Sequence, residues 1–450
     1  MNNNQVRKKL HSLIPGGAHT YSRGDDQFPN NTPAILLRGK GSYVWDLYDN
    51  QFLDYGMGLR SINIGYGNKE IADAVYQDIL YGNNLTRASK TELDAAELLI
   101  DLIDSADMVK FAKHGSTVTT AAIKLARAYT GKKYIALPRQ HPFFSYDDWF
   151  IGTTVMKKGT LQESSNFSLV FDYNEIQSLE YLFDKYPNQI AAVILEPATS
   201  LGPCDCKNDY STLCYNCPSN QNNFLKKVRH LTKKNDSLMI LDEMITGFRW
   251  DLKGAQYFFG IEPDLSTFGK AMANGFSVAA VTGKRDIMKL GGIIDKGKER
   301  VFLTSTTHGA EMSSLRAFIK TVEIMKRESV IDHFWKYGRK LMNKFNSMAK
   351  EFEINEFVKM DGYFCSPTIT IKDFNNEEKL SCKTLFLQEM IKNNVIMPYV
   401  ALSYSHKEEE LEKTLNALRS TFNVIKKAKS QGVKKFLKSK IIKPVFRAYN

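Results

Sequence analysis

Along the chain, short unbroken apolar runs alternate with longer stretches in which apolar residues recur every three or four positions. Residues 191–195 (AAVIL) and 238–241 (LMIL) are continuous rather than alternating, as strands buried on both faces are. Between them Phe224, Leu225, Val228 and Leu231 predict a helix over 223–234. The same spacing predicts helices near 69–80, 90–104, 118–130, 315–328, 331–352, 381–393 and 407–427. Shorter runs predict strands at 34–37, 42–45 and 366–372. Strand–helix alternation of this kind belongs to the α/β class, with a mainly parallel central sheet.

The change of texture along the chain divides it. Residues 1–60 read as an irregular arm that joins part of a small domain, and 61–310 as a large sheet domain. Residues 311–425 read as a smaller α+β domain rich in long helices, and 426–450 as a basic tail. Composition agrees with a folded chain: 450 residues, 43% hydrophobic and 24% charged, exclude a predominantly disordered state. Six cysteines are too sparse for a disulfide scaffold. No apolar run nears the ~18 residues that cross a bilayer. The N-terminus lacks the apolar core of a signal peptide, so a cytoplasmic protein is expected.

Charge is a property of the tail. From Thr421 to Asn450 nine basic residues and no acid account for most of the formal +12, leaving +3 for the first 420 residues. No nucleic-acid partner is expected from so local a charge. Val433, Phe436, Leu437, Ile441 and Ile442 interleave with the lysines, which predicts a weak amphipathic helix packed on the body or touching an anionic membrane surface.

Four local features suit one chemical task. His114-Gly115-Ser116-Thr117 opens a helical stretch, and glycine with hydroxyls at a helix start suits a phosphate, although Ser and Thr are equally ordinary caps. Glu196 follows one buried strand, and Asp242 and Glu243 end the other, where α/β sheets collect their chemistry. Asp242 there is either a turn residue or a partner for a protonated heterocyclic nitrogen. Lys270, 28 residues further on, lies among Gly269, Ala271, Met272 and Ala273, a small-residue setting in which an amine can be made nucleophilic. Thr304-Ser305-Thr306-Thr307-His308-Gly309 is a second hydroxyl-rich loop.

In order along the chain, IPGGAHTYSRG, GKGSYVWDLYDNQFLDYGMGL, GSTVTTAAIKLARAYTG, VILEP, LDEMITGFR, STFGKAMANGF and SYSHKEEELEKTL resemble the class III pyridoxal-phosphate aminotransferases. The resemblance is to the subgroup similar to glutamate-1-semialdehyde 2,1-aminomutase. It implies the fold-type I architecture, with a seven-stranded-type sheet in the large domain and a homodimer that shares its active sites. It implies that Lys270 carries pyridoxal 5′-phosphate and shuttles a proton, and that Asp242 pairs with the pyridinium nitrogen. Gly115 and Ser116 would bind the phosphate, with Thr306 reaching it from the neighbouring subunit. Phe143 would stack on the ring, Met244 would pack on its other face, and Glu196 would lie near its edge. Arg23 and Arg60 would hold a substrate carboxylate or phosphate.

Where many relatives carry an acid, this chain has Thr117, and Phe143-Phe144-Ser145 replaces a Tyr-His-Gly stretch. The GLRS loop and the PVFRAYN end resemble aminotransferases of surface-polysaccharide and modified-sugar pathways. The expected function is therefore amino transfer from a small donor, glutamate by default, to a carbonyl of a small or sugar-derived acceptor. Intramolecular transfer by an aminomutase is the alternative.

One feature stands outside that pattern. Cys204, Cys206, Cys214 and Cys217 form Cys-x-Cys, seven residues, then Cys-x-x-Cys, within a polar insert at 202–220. The spacing fits a structural zinc held by four thiolates, an iron–sulfur cluster being the other metal reading and incidental thiols the metal-free one.

Overall fold

The structure is a computed structural model that describes residues 1–203, 223–309 and 311–449. It divides into two compact units, one of residues 69–331 with 448–450 and one of residues 1–68 with 332–447.

The larger unit is built on a seven-stranded sheet. Its spatial order is Met108–Ala112, Ala279–Gly283, Leu265–Phe268, Leu238–Asp242, Ile190–Leu195, Tyr134–Pro138, Ser168–Phe171. Ala279–Gly283 runs antiparallel to both neighbours, and every other pairing among Leu265–Phe268 and the strands beyond it is parallel. Six strands therefore point the same way and deliver their carboxyl ends to one edge. The continuous runs predicted as strands are Ile190–Leu195 and Leu238–Asp242, buried at every position. That burial explains why they do not alternate.

The helix Gly115–Thr130 follows the first strand and buries Val118, Ala121, Ala122, Ile123, Leu125 and Ala126. Each fully buried Val, Leu or Ile there is worth about 1.5–3 kcal/mol, and the alanines allow close approach to the sheet. The predicted helix at 223–234 is Phe224–Lys234, with Asn223 Oδ1 capping Leu225 N at 2.8 Å. Lys69–Leu80 packs against Met312–Arg327 in the same unit. Their ion pair, Arg316 with the buried Asp78, also takes in Thr91.

The smaller unit holds a sheet ordered Leu36–Lys40, Tyr43–Asp46, Gln51–Asp54, Val395–Ile396, and a separate hairpin of Val358–Tyr363 with Ser366–Ile371. Helices Ser381–Lys392 and Glu408–Gln431 complete it with most of Val330–Glu351. Its interior is knitted by Tyr55, whose hydroxyl meets Tyr337 at 2.7 Å and Thr414 at 2.8 Å while its ring stacks on His406.

The tail corrects one expectation. Among the described residues beyond Gly432 there is no amphipathic helix, only a 3₁₀ turn at Val433–Lys435 and irregular chain after it. Val433 and Ile442 are buried, and three backbone amides along the segment are held by side chains of the same unit: Val433 N by Glu377, Lys438 N by Gln388, Ile442 N by Thr384. Among the described residues no helix is long and apolar enough to cross a membrane.

Candidate active site

The carboxyl edge of the large sheet gathers most of the chemistry-bearing residues. Met108–Ala112 leads to His114 and Gly115, Tyr134–Pro138 to His141 and Phe143, and Ile190–Leu195 to Glu196. Leu238–Asp242 ends on Asp242 itself, and Leu265–Phe268 leads to Gly269 and Lys270. His114 and Lys270, 156 positions apart in sequence, are thus brought to one edge by strand direction alone.

Asp242 and Glu243, adjacent and both buried, do different work. Glu243 accepts from Thr246 Oγ1 at 2.5 Å, Ala255 N at 2.9 Å and Gln256 N at 2.8 Å, so it fixes the following loop and caps the helix Gly254–Phe259. Asp242 Oδ1 accepts from Met244 N and Thr267 Oγ1, each at 3.1 Å. Burial pushes its carboxyl up to about 6, opposed by the Lys270 ammonium and by those two donors. A buried carboxylate facing a lysine is a group that gains from a further positive partner.

Lys270 is half-buried at the start of a 3₁₀ turn, Lys270–Ala273, and holds φ +44°. A non-glycine residue there is strained by about 1–2 kcal/mol, the kind of cost found where a side chain must be aimed. Met244 lies between the two loops. A Cβ on Gly115 would stand 3.1 Å from its Sδ and one on Gly269 only 2.6 Å, so a side chain at either position would require Met244 to shift.

Gly115 and Ser116 open the helix Gly115–Thr130, whose N-cap residue His114 makes no side-chain capping bond. The first amides of the helix and its positive dipole end are therefore offered to an anion. Ser116 Oγ accepts from Tyr146 N at 3.1 Å, and Thr117 Oγ1 lies 3.1 Å from His114 Nδ1. Phe143 is exposed, edge-on to Phe150, while Phe144 beside it is buried. Thr306 is exposed in its loop. Glu196 is buried, and its amide donates to His141 Nδ1 at 3.0 Å. Burial keeps His141 neutral, its pKa pushed down to about 3.

Arg23 and Arg60 belong to the smaller unit. Arg23 is exposed in a 3₁₀ turn. Arg60 closes a left-handed turn in which Met57, Gly58, Leu59 and Arg60 all have positive φ. Asp54 holds that turn, Oδ1 accepting from Gly56 N at 2.7 Å and Oδ2 from Met57 N at 3.1 Å and Tyr66 Oη at 2.7 Å. Arg60 Nη1 donates to Ser366 Oγ and the Val400 carbonyl, and its guanidinium lies over Tyr399. Cys204, Cys206, Cys214 and Cys217 lie outside the described residues, among which no cluster of three or more metal-ligating side chains occurs.

Comparison with known proteins decides the family. Residues 25–422 match the family described as aminotransferase class-III. The chain belongs to this family. It is 32% identical over 421 residues to the 3-aminobutyryl-CoA aminotransferase of Cloacimonas acidaminovorans (strain Evry), covering 92% of this chain and 95% of the relative. It is 27% identical over 442 residues to a glutamate-1-semialdehyde 2,1-aminomutase of Sulfurihydrogenibium azorense, covering 94% and 98%.

Among solved structures, FumI of Sphingopyxis sp. MTA144 in its PLP internal aldimine form superposes with TM-score 0.83 at 23% identity, covering 95% of this chain and 97% of that one. A glutamate-1-semialdehyde aminomutase of Pseudomonas aeruginosa PAO1 gives 0.78 at 17%, covering 94% of each. The fold is thus that of the pyridoxal-phosphate transaminases, and the chain is a pyridoxal-phosphate-dependent enzyme of class III. Its residues suit the cofactor chemically: uncapped helix amides for a phosphate, a buried carboxylate for a pyridinium, a primary amine for an aldehyde.

The sequence did not single out Thr267, His141 or Glu311. Thr267 was legible in principle, being three residues before Lys270 and the register partner of Asp242. The other two act through contacts between distant segments.

Proposed function

We propose that this enzyme transfers an amino group from a small donor, glutamate first among them, to the carbonyl of a small or sugar-derived acceptor. The observation that carries this reading is the buried Asp242 facing Lys270 at the edge where the uncapped Gly115 helix begins. Bound pyridoxal phosphate supplies an electron-poor ring able to take up the electron pair released when an amine loses its α-proton. In this reading the Gly115 and Ser116 amides bind the phosphate, with Thr306 as a further hydroxyl from the second subunit of a homodimer. Asp242 keeps the ring nitrogen protonated, and Met244 and Phe143 pack on the ring. Glu196 borders it, placed by His141. Lys270 Nζ would hold the cofactor until the donor's amine displaces it, and the released amine would then be placed to accept the α-proton and return it on the other side of the transfer.

Arg23 is the substrate-anion residue in this reading. Arg60, anchored by Ser366 and Val400, sets the GLRS turn and is the second candidate, beside Arg23, to meet an acceptor's anionic group. What supports a sugar-derived acceptor is the resemblance of the GLRS loop and PVFRAYN end. The named relatives widen the choice to acyl-CoA and semialdehyde carbonyls. The aminomutase reading is favoured by the relatives of that name and differs in needing no separate donor. For the four-cysteine insert the spacing supports a structural zinc, checked by metal content of the purified protein at one ion per chain.

The deciding experiment is the visible spectrum of the purified, cofactor-loaded protein before and after L-glutamate. Loss of the visible band on glutamate alone is expected for the aminotransferase. An unchanged band, together with conversion of glutamate-1-semialdehyde in the absence of any donor, would establish the aminomutase instead.

A further inference from the structure

The loop that carries Thr306 is held from two directions, and one carboxylate joins it to the start of the Gly115 helix. Glu311 occupies the N-cap position of Met312–Arg327, yet its side chain makes no capping bond. The capping comes from Asn83 in the segment after Lys69–Leu80. Its carbonyl accepts from Met312 N at 2.8 Å and its Oδ1 from Ser313 N at 3.0 Å. Asn83 takes φ +37° in doing so, a conformation asparagine tolerates better than most residues. Neighbouring Asn84 donates from Nδ2 to the Thr307 carbonyl at 2.9 Å.

Relieved of capping, Glu311 faces an ammonium group and an imidazole. One oxygen pairs with Lys113 Nζ, and the other lies 3.1 Å from His308 Nδ1. Lys113 precedes His114-Gly115-Ser116, and its carbonyl accepts from Ser277 Oγ at 2.8 Å. His308 is two residues beyond Thr306. A carboxylate so near a phosphate site is unfavourable by charge alone. Its pairing with Lys113 removes that repulsion and turns the acid into a tie.

We propose that Glu311 is a positioning residue for the cofactor phosphate, fixing the Gly115–Ser116 helix start and the Thr306 loop relative to each other, with Asn83 and Asn84 bracing it. The inference rests on the pyridoxal-phosphate reading of the site. In the homodimer proposed above, Thr306 serves the second subunit's phosphate while Gly115 and Ser116 serve their own, so Glu311 ties two phosphate cups within one chain.

The test compares binding of pyridoxal 5′-phosphate and of pyridoxal, which lacks the phosphate, to the cofactor-stripped parent, Glu311→Gln, Glu311→Asp, Lys113→Met and the Lys113→Met/Glu311→Gln double variant. Visible absorbance reads binding, and melting of the stripped proteins reads the fold. Glu311→Gln is expected to weaken pyridoxal 5′-phosphate about tenfold or more, the scale of a lost charge-assisted bond, while leaving pyridoxal binding unchanged. Glu311→Asp should recover part of the loss, and the double variant should bind no worse than Glu311→Gln.

Equal binding of pyridoxal 5′-phosphate by parent and Glu311→Gln overturns the proposal. So does an equal loss for both ligands accompanied by lower melting of the stripped protein, since that marks a structural acid only. If the parent itself takes up no pyridoxal 5′-phosphate, the cofactor reading falls first and this inference with it.

Discussion

Thr267 Oγ1 donates to Asp242 Oδ1 at 3.1 Å across two parallel strands in which these residues are register partners. The bond ties the carboxylate to the strand that leads, three residues later, into Lys270. Acid and amine are thereby set by adjacent strands rather than by mobile loops.

A buried carboxylate has a stability consequence with a definite sign. Burial raises the Asp242 pKa from 3.8 to about 6, so the folded, cofactor-free protein holds this proton more tightly than the unfolded chain. The ionised form is therefore a destabilising term, fully present above pH ~6 and fading as pH falls through ~6 towards ~4. Cofactor-free Asp242→Asn should melt above the parent at pH 7.5, by the equivalent of about 2–3 kcal/mol at most, and the gap should shrink to about a third of that by pH ~4.5. Superimposable melting curves at both pH values would sink this account. The same variant should gain less stability than the parent from added cofactor, because the group that answers a pyridinium is gone.

Lys270 joins chemistry to backbone strain. Lys270→Ala and Lys270→Gly should both lose the visible cofactor band and slow turnover by about a thousandfold or more. They should differ in stability. At φ +44° glycine avoids the strain that alanine keeps, so the glycine variant is expected to be more stable by about 1 kcal/mol. Urea titration of the two cofactor-free variants decides it, and an alanine variant equal to or above the glycine variant removes the argument from strain.

Met244 wedged between Gly115 and Gly269 predicts a coupling. Gly269→Ala places a methyl 2.6 Å from Met244 Sδ and should cost about 1–2 kcal/mol of stability and weaken cofactor retention. Met244→Ala in the same chain should restore part of both, giving a double-mutant coupling of at least ~0.5 kcal/mol. Strictly additive effects would mean that the two residues do not meet as described.

How far all this could be read from the sequence depended on the range of the interactions. Strands 190–195 and 238–242 were legible because double burial leaves an unbroken apolar signature. The acids at their ends followed from strand direction. The Lys113–Glu311 tie was invisible because nothing local marks it: Glu311 sits where a cap belongs, and only the distant Asn83 explains why it does not cap. The left-handed turn at Met57–Arg60 was equally hidden, since Met, Leu and Arg rarely take positive φ, and Asp54, Tyr66 and Ser366 hold it there by contacts across the unit. The tail was misread for a related reason. Apolar residues at 433, 436, 437, 441 and 442 have helical spacing, but the Phe436 and Leu437 amides return to the Val433 carbonyl in a single turn, and the Lys438 and Ile442 amides beyond it are taken by side chains.

That reading of the tail is testable against the charge that first drew notice. Lys434, Lys435, Lys438, Lys440 and Lys443 are exposed, whereas Ile442 is buried, its amide held by Thr384, and the Lys443 amide donates to the Asp26 carbonyl at 2.8 Å. Asn30 N donates to Ser439 Oγ at 2.7 Å, and Arg447 pairs with Asp26, so the segment also secures residues 26–30 of the arm. If the tail is a structural strap, Ile442→Ser should lower stability by about 2 kcal/mol, the transfer and cavity terms of one buried isoleucine. Replacing Lys434, Lys438 and Lys440 together by Gln should stay within about 0.5 kcal/mol of the parent, as exposed surface charges do. Thermal melting of the two variants separates packing from charge. A triple-Gln protein that melts well below the parent, with Ile442→Ser unchanged, would show that the charges rather than the buried isoleucine hold the strap.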